Sequence, residues 1–276
     1  MKVNVRVANR VITEVVEKEI EKTKFGVGID NFIGDVDADG NYVAPSEPFE
    51  INLAGVKSVP TASFDFFLSG KRNYVFHADE VESIASYAFQ NAFQIDFIQK
   101  TDDISITFNG VETINAYAAF MEACKQFNST SPNSGKYSVV FSNLKKIEGD
   151  YAFQYFMQSE TMEKFNQVFP LLEEIRGNYV FDSAFTKKDK GVYNFTNIKI
   201  INGYTSTYGS TFGSFYQKNT VWNFPSATEF TGYIWNGNAS YPGEIHFAAS
   251  NQAAIEACNG YANKWGFAGA TIYFDL

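Results

Sequence analysis

The sequence predicts an α/β repeat solenoid of about seven to eight short units, each holding a short strand and a short helical segment, with an N-terminal flanking region and a C-terminal cap. Three observations predict it. Apolar anchors recur every 25 to 33 residues, at Val59, Ile84, Ile114, Ile147, Ile175, Ile201 and Phe230. The residues around each anchor follow one grammar. The composition is skewed in a way that a repeated core position explains: of 276 residues, 28 are Phe and 16 are Tyr but only six are Leu, which is normally among the commonest residues. A fixed period of 20 to 50 residues belongs to stacked short units rather than to a wound sheet or a helical bundle.

In chain order, residues 1–48 form an attachment or capping region. Val3, Val5 and Val7 alternate with polar residues, as in a strand. Val11 to about Lys22 carries Ile12, Val16 and Ile20 on one stripe, which predicts a short helix. The turn-rich run GDVDADGNYVAP follows. Residues 49–248 hold the repeats. An aromatic stands six residues before the anchor (Phe108, Phe141, Phe169) and an apolar residue three before it (Val111, Leu144, Leu172). A Phe follows six after it (Phe120, Phe153, Phe181), and four beyond that comes Cys124, Met157 or Phe185. Stretches such as Ile104 to Phe108, Tyr137 to Phe141 and Val221 to Phe224 are rich in β-branched and aromatic residues and predict strands. YAFQNAF, from Tyr87 to Phe93, predicts a helical turn or two with Phe89 and Phe93 on one face. Ser86, Asp150 and Asn178 would cap such turns. Residues 249–276 read as a cap, with a helical pattern in NQAAIEACNGYANKWGF and a last strand in ATIYFDL.

The repeat grammar resembles the BspA-like bacterial surface-antigen leucine-rich repeats. The likeness rests on the glycine two residues after the anchor (Gly149, Gly177), the Ala-Phe step (Ala88-Phe89, Ala152-Phe153), a proline just after the strand Phe (Pro170, Pro225) and Cys124. It departs from that family in using Phe where Leu or Ile is usual. The resemblance implies a leucine-rich-repeat-like arc with a strand ladder along one side, and a binding role in adhesion or protein interaction rather than catalysis.

Charge narrows the function. Twenty-two basic against 31 acidic residues give a net charge of −9, which disfavours nucleic acid and anionic membranes. No apolar run is long enough to span a bilayer, so no membrane insertion is expected. Cys124 and Cys258 are too far apart to suggest a metal pair, and read as buried apolar thiols. His77 and His246 stand alone, His246 as an outward strand residue. No nucleophile elbow, phosphate loop or zinc motif occurs, so no catalytic residue is assigned and no cofactor is expected. Asp35, Asp37 and Asp39, with the Asn41 carbonyl, open like a calcium loop, but Ser46 stands where the bidentate Glu belongs. A β-hairpin turn is the preferred reading and calcium the alternative.

Between Gly203 and Tyr241 the mixture of Tyr, Trp, Ser, Thr, Gly and Asn resembles an adaptable binding surface. Tyr204, Tyr208, Tyr216, Tyr233, Trp235, Asn236 and Tyr241 are the candidate ligand-binding residues, for stacking on sugars or anchoring a protein epitope. The expected function is a non-enzymatic recognition or structural module displayed outside a cell. The start at Met1 without a secretory signal favours a bacteriophage virion fibre or decoration protein, joined to other virion proteins or to its own copies through the N-terminal region and presenting a surface for glycan or protein ligands. A bacterial cell-surface adhesin for a host protein is the alternative, and a glycan-active enzyme a remote one.

Overall fold

The computed structural model describes residues 2–8, 11–15, 35–36, 42–43, 48–53, 55–95, 103–125, 136–158, 160, 162–186, 191–203, 210–212, 220–235, 243–267 and 269–276. They form mostly parallel strands in several sheets, with few helices.

One sheet runs through β1 (Lys2–Ala8), β5 (Phe49–Asn52), β7 (Tyr74–His77), β9 (Asp103–Thr107) and β11 (Lys136–Val140), all parallel. β2 (Val11–Val15) pairs antiparallel with β1 on its outer side. A second line of short strands holds the anchors. β6 (Ser58–Val59) pairs with β8 (Ser83–Ile84), and β10 (Thr113–Ile114), β12 (Lys146–Ile147), β13 (Glu174–Arg176), β15 (Ile200–Asn202) and β17 (Glu229–Thr231) form a five-stranded sheet. The register pairs Val59 with Ile84 in the first of these ladders, and Ile114, Ile147, Ile175, Ile201 and Phe230 in succession in the second. These are the anchors read from the sequence, matched residue for residue. A third sheet holds β14 (Val192–Asn194), β16 (Val221–Phe224), β18 (Glu244–Phe247) and β19 (Thr271–Phe274). Between β11 and β14 the strand position is taken by a 3-10 turn (Met162–Lys164) and α1 (Phe165–Val168), whose Val168 carbonyl accepts the Phe141 N–H. β3 (Asp35–Val36) and β4 (Tyr42–Val43) form an antiparallel pair, in keeping with the hairpin reading of the Asp-rich run.

Two local expectations are corrected. Val11–Val15 is a strand, not the start of a helix. Four of its five residues are β-branched, and pairing with β1 supplies hydrogen bonds that an isolated helix would have to nucleate for itself. The segments after the anchors are not helical turns either. Tyr87, Asn91 and Phe93 have positive φ, as do Ala118, Glu122 and Cys124, Tyr151, Tyr155 and Met157, and Tyr179, Ser183 and Phe185. The backbone runs as successive turns, and its amides reach across to the next unit: Phe89 N–H to Ala119, Phe120 to Ala152 and Phe153 to Val180, at 2.8 to 2.9 Å. A helix would direct these donors along its own axis and leave the units unjoined. Asp150 consequently caps nothing; its carboxylate accepts the backbone and side-chain N–H groups of Asn178 in the following unit.

The core lies between these hydrogen-bonded sides. Fourteen Phe residues recur at repeat positions, Phe64, Phe89, Phe93, Phe108, Phe120, Phe141, Phe153, Phe169, Phe181, Phe185, Phe195, Phe224, Phe230 and Phe247, and all are buried. Phe64, Phe89, Phe120, Phe153 and Phe181 stack as one column, with centroids 4.8, 5.1, 5.1 and 5.4 Å apart. Phe108 and Phe141 stack at 4.8 Å in a second column, set edge-on to the first. Gly149 marks where units come closest: a Cβ there would lie 2.0 Å from the Ala116 carbonyl oxygen. Gly177 takes a φ of +117°, which side chains disfavour. The C-terminal segment closes the anchor sheet, as α2 (Gln252–Glu256) brings the Cys258 Sγ to accept the Phe230 N–H of β17.

Removing the Phe120 ring, which sits between two others, should lower the unfolding free energy by about 3–5 kcal/mol. Phe66→Ala, at a ring that is 57% exposed, should change it by no more than about 0.5 kcal/mol. Denaturant titration of the two variants checks the contrast.

Candidate functional site

In three units a tyrosine, Tyr87, Tyr151 or Tyr179, points outward just before the buried Ala-Phe or Val-Phe step. In the unit between the first two, Tyr117 does so from one position earlier. Tyr87, Tyr117, Tyr151 and Tyr179 stand in a row with ring centroids 5.3, 5.2 and 4.9 Å apart. The spacing is that of the hydrogen-bonded units beneath, close to the ~4.8 Å between neighbouring strands. Tyr117 is out of sequence register by one position, because Ala118 donates its N–H to Asp150 where Tyr151 donates to Asn178, yet its ring still joins the row. It is 43% exposed, and the other three are half-buried.

The row is partly desolvated and negatively flanked. Burial, then the neighbouring phenols and Asp150, push the Tyr117 hydroxyl above its ordinary 10.0. Burial, then Tyr179, Asp150 and Asp182, raise Tyr151. Tyr155, in the next outward slot, is raised by burial and then by Asp182 and Glu122. Tyr151 and Tyr179 stack at 17° between ring planes, while Tyr117 is tilted by 59° against Tyr87 and by 50° against Tyr151, so the row offers phenol hydroxyls, ring edges and part of the tilted faces to solvent. The sequence places these tyrosines in the repeat and treats them as scaffold; a tyrosine recurring just ahead of the buried Phe89, Phe120, Phe153 and Phe181 is the signal that marks them as surface.

The ligand-binding residues read from the Gly203–Tyr241 segment fare unevenly. Tyr204, Tyr208, Tyr216, Asn236 and Tyr241 lie outside the described residues. Tyr233 lines a cavity of about 150 Å³ with Asn259 and Asn263, beside the backbones of Gly260 and Gly266. Trp235 is corrected to a core residue. It is 1% exposed, stacks on Phe267 at 5.5 Å and meets Trp222 edge-on at 5.3 Å, so no ligand can reach its ring from solvent. Among the described residues its indole N–H has no hydrogen-bond partner. Of the calcium candidates, Asp35 lies in β3, while Asp37, Asp39 and Asn41 lie outside the described residues. A second cavity, about 250 Å³, opens where α1 replaces a strand, between Asn166 and Asn194.

The remaining chemistry-bearing residues are held in ladders between units. His77 Nδ1 lies 2.9 Å from the Thr107 hydroxyl, which donates to Asp79. His246 stands outward on β18, between Asp275 at 2.7 Å and Glu244 at 3.2 Å, and stacks on Tyr273. Cys124 is buried, which pushes its thiol up to about 12. No family model, curated protein or solved structure matches this chain.

Tyr117, Tyr151, Tyr155 and the buried Tyr137 all have raised phenol values in the fold, with burial the largest cause. Folding therefore favours their protonated forms. Stability should hold below the unfolded phenol value of about 10 and fall as pH rises beyond it. Tyrosinate absorbance should lag in the native chain relative to the denatured one; coincident curves would contradict the burial described. For Trp235, Phe substitution removes an unpaired donor while keeping a ring, and should cost less than about 1.5 kcal/mol. Trp235→Ala should cost about 3–5 kcal/mol by thermal or denaturant unfolding.

Proposed function

We propose that this chain is a leucine-rich-repeat-like solenoid of the BspA-like type that acts as a non-enzymatic recognition module, holding an extracellular glycan or protein ligand against its tyrosine row. The observation that carries the reading is the row itself: four aromatic side chains kept at the surface, at regular spacing, by units whose cores are already filled with phenylalanine. The residue-for-residue anchor register across consecutive units supports the repeat architecture. Tyrosine is favoured in recognition surfaces because it provides large contact area with little side-chain freedom to lose, and a hydroxyl to orient the ligand.

The test is retention on bacterial envelopes and on mucin-coated surfaces, comparing the wild-type chain with the double variant Tyr117→Ala, Tyr151→Ala and with Tyr233→Ala. Losing two central rings should weaken retention by at least about tenfold, while melting curves report that the fold persists. Undiminished retention in the double variant would remove the row as the site. Loss in Tyr233→Ala alone would move the site to the cavity beside Asn259 and Asn263.

A further inference from the structure

The face that carries the tyrosine row is charged as well as aromatic. Its turn segments, residues 61–69, 85–94, 117–125, 150–158 and 178–186, contain four carboxylates, Asp65, Glu122, Asp150 and Asp182, and one cation, Lys125. That cation shows how an ammonium sits here. Lys125 Nζ lies 5.4 Å from the Tyr155 ring centroid and 3.1 Å from a Glu122 carboxylate oxygen, held between a phenol face and an acid. Beside the tyrosine row, Asp150 has a different environment. Among the described residues it accepts the two neutral N–H groups of Asn178, at 2.7 and 3.0 Å, and no cation, and its charge bears on both Tyr117 and Tyr151. This part of the face has the phenols and the acid of the Lys125 site without its ammonium.

Spacing separates the ligands that could supply one. An extended basic peptide presents same-side residues every ~6.6–6.8 Å, so it drifts out of step with rungs 4.9 to 5.3 Å apart. An extended β-1,4-linked pyranose chain advances by close to one strand spacing per sugar, with alternate sugars flipped, so it stays in step with the rungs and presents like groups to every second one. Its hydroxyls can pair with the phenol hydroxyls, and its ring edges can rest on theirs. Acidic glycans are repelled by the carboxylates, and amine-bearing ones are drawn in. Resting on the recognition-module reading above, we infer that the row binds a linear β-linked amino-sugar polysaccharide with free amines, lying along Tyr87, Tyr117, Tyr151 and Tyr179, with its ammonium groups attracted to Asp150.

Calorimetry with β-linked glucosamine oligomers of two, four and six sugars, their N-acetylated counterparts and tetralysine tests this with the full chain. Affinity should rise from the dimer to the tetramer and then level off, because the row is four rings long. The N-acetylated tetramer should bind about threefold to fivefold more weakly, the scale of a lost ammonium contact at an exposed aromatic site. Asp150→Asn should remove most of that preference, its melting curve reporting whether the two Asn178 contacts survive the change. Equal binding of dimer and tetramer, equal binding of acetylated and free-amine chains, or tighter binding of tetralysine would each overturn the inference. If glucosamine oligomers fail to bind while the Tyr117→Ala, Tyr151→Ala variant still loses envelope retention, the ligand class is wrong and the recognition reading stands. If retention is also unchanged in that variant, both fall.

Discussion

Everything in this structure depends on like residues of successive units being held one strand spacing apart by backbone hydrogen bonds. Parallel strands in register set that distance at about 4.8 Å, and the unit-to-unit bonds of the turn segments extend it to the irregular side of each unit. A flat aromatic ring placed at the same position in each unit then meets its neighbour at stacking distance, as the Phe64-to-Phe181 column does. Such contacts add to simple burial, by about 0.5–1.5 kcal/mol per pair. A branched aliphatic chain would fill the volume but gain no comparable pairing. The scarcity of leucine follows from this.

The same geometry acts on the surface. A side chain repeated at an outward slot also recurs at the unit spacing, so polar residues form ladders: Lys146 with Glu148 and Glu174, Arg176 with Glu174 and Glu229, and Asn194 with Asn223. Most of these are closed sets in which charge meets countercharge or amide meets amide. The tyrosine row differs in that its members meet mainly through ring contacts, and in that, among the described residues, Asp150 beside it is answered by the amide groups of Asn178 and not by a cation.

The turn segments account for what sequence reasoning misread. Phe89 and Phe93 are four apart, which reads as one face of a helix, yet both point inward because the left-handed residue Asn91 turns the chain between them. Periodicity in one dimension cannot separate these cases, since the hydrogen-bond partners that decide between them come from the next unit. Val11–Val15 shows the same limit, its strand being fixed by pairing with β1. Trp235 had the composition of a binding residue, but its environment is assembled from Trp222, Phe212 and Phe267, which are distant in sequence.

The sequence by itself determined which residues are equivalent. The anchors, the Phe residues that recur at repeat positions and the glycines Gly149 and Gly177 were legible, because a repeated unit must solve the same packing problem each time and the solution recurs in the text; Phe67, Phe156, Phe165 and Phe212, buried outside that grammar, were not. Only the tertiary structure decided which way each repeated residue faces. Tyr87, Tyr117, Tyr151 and Tyr179 read as scaffold until the turn geometry placed them outside, and Trp235 read as surface until the last units closed over it. Equivalence is a property of spacing along the chain. Exposure depends on the backbone turns and on the neighbouring units, which spacing does not contain.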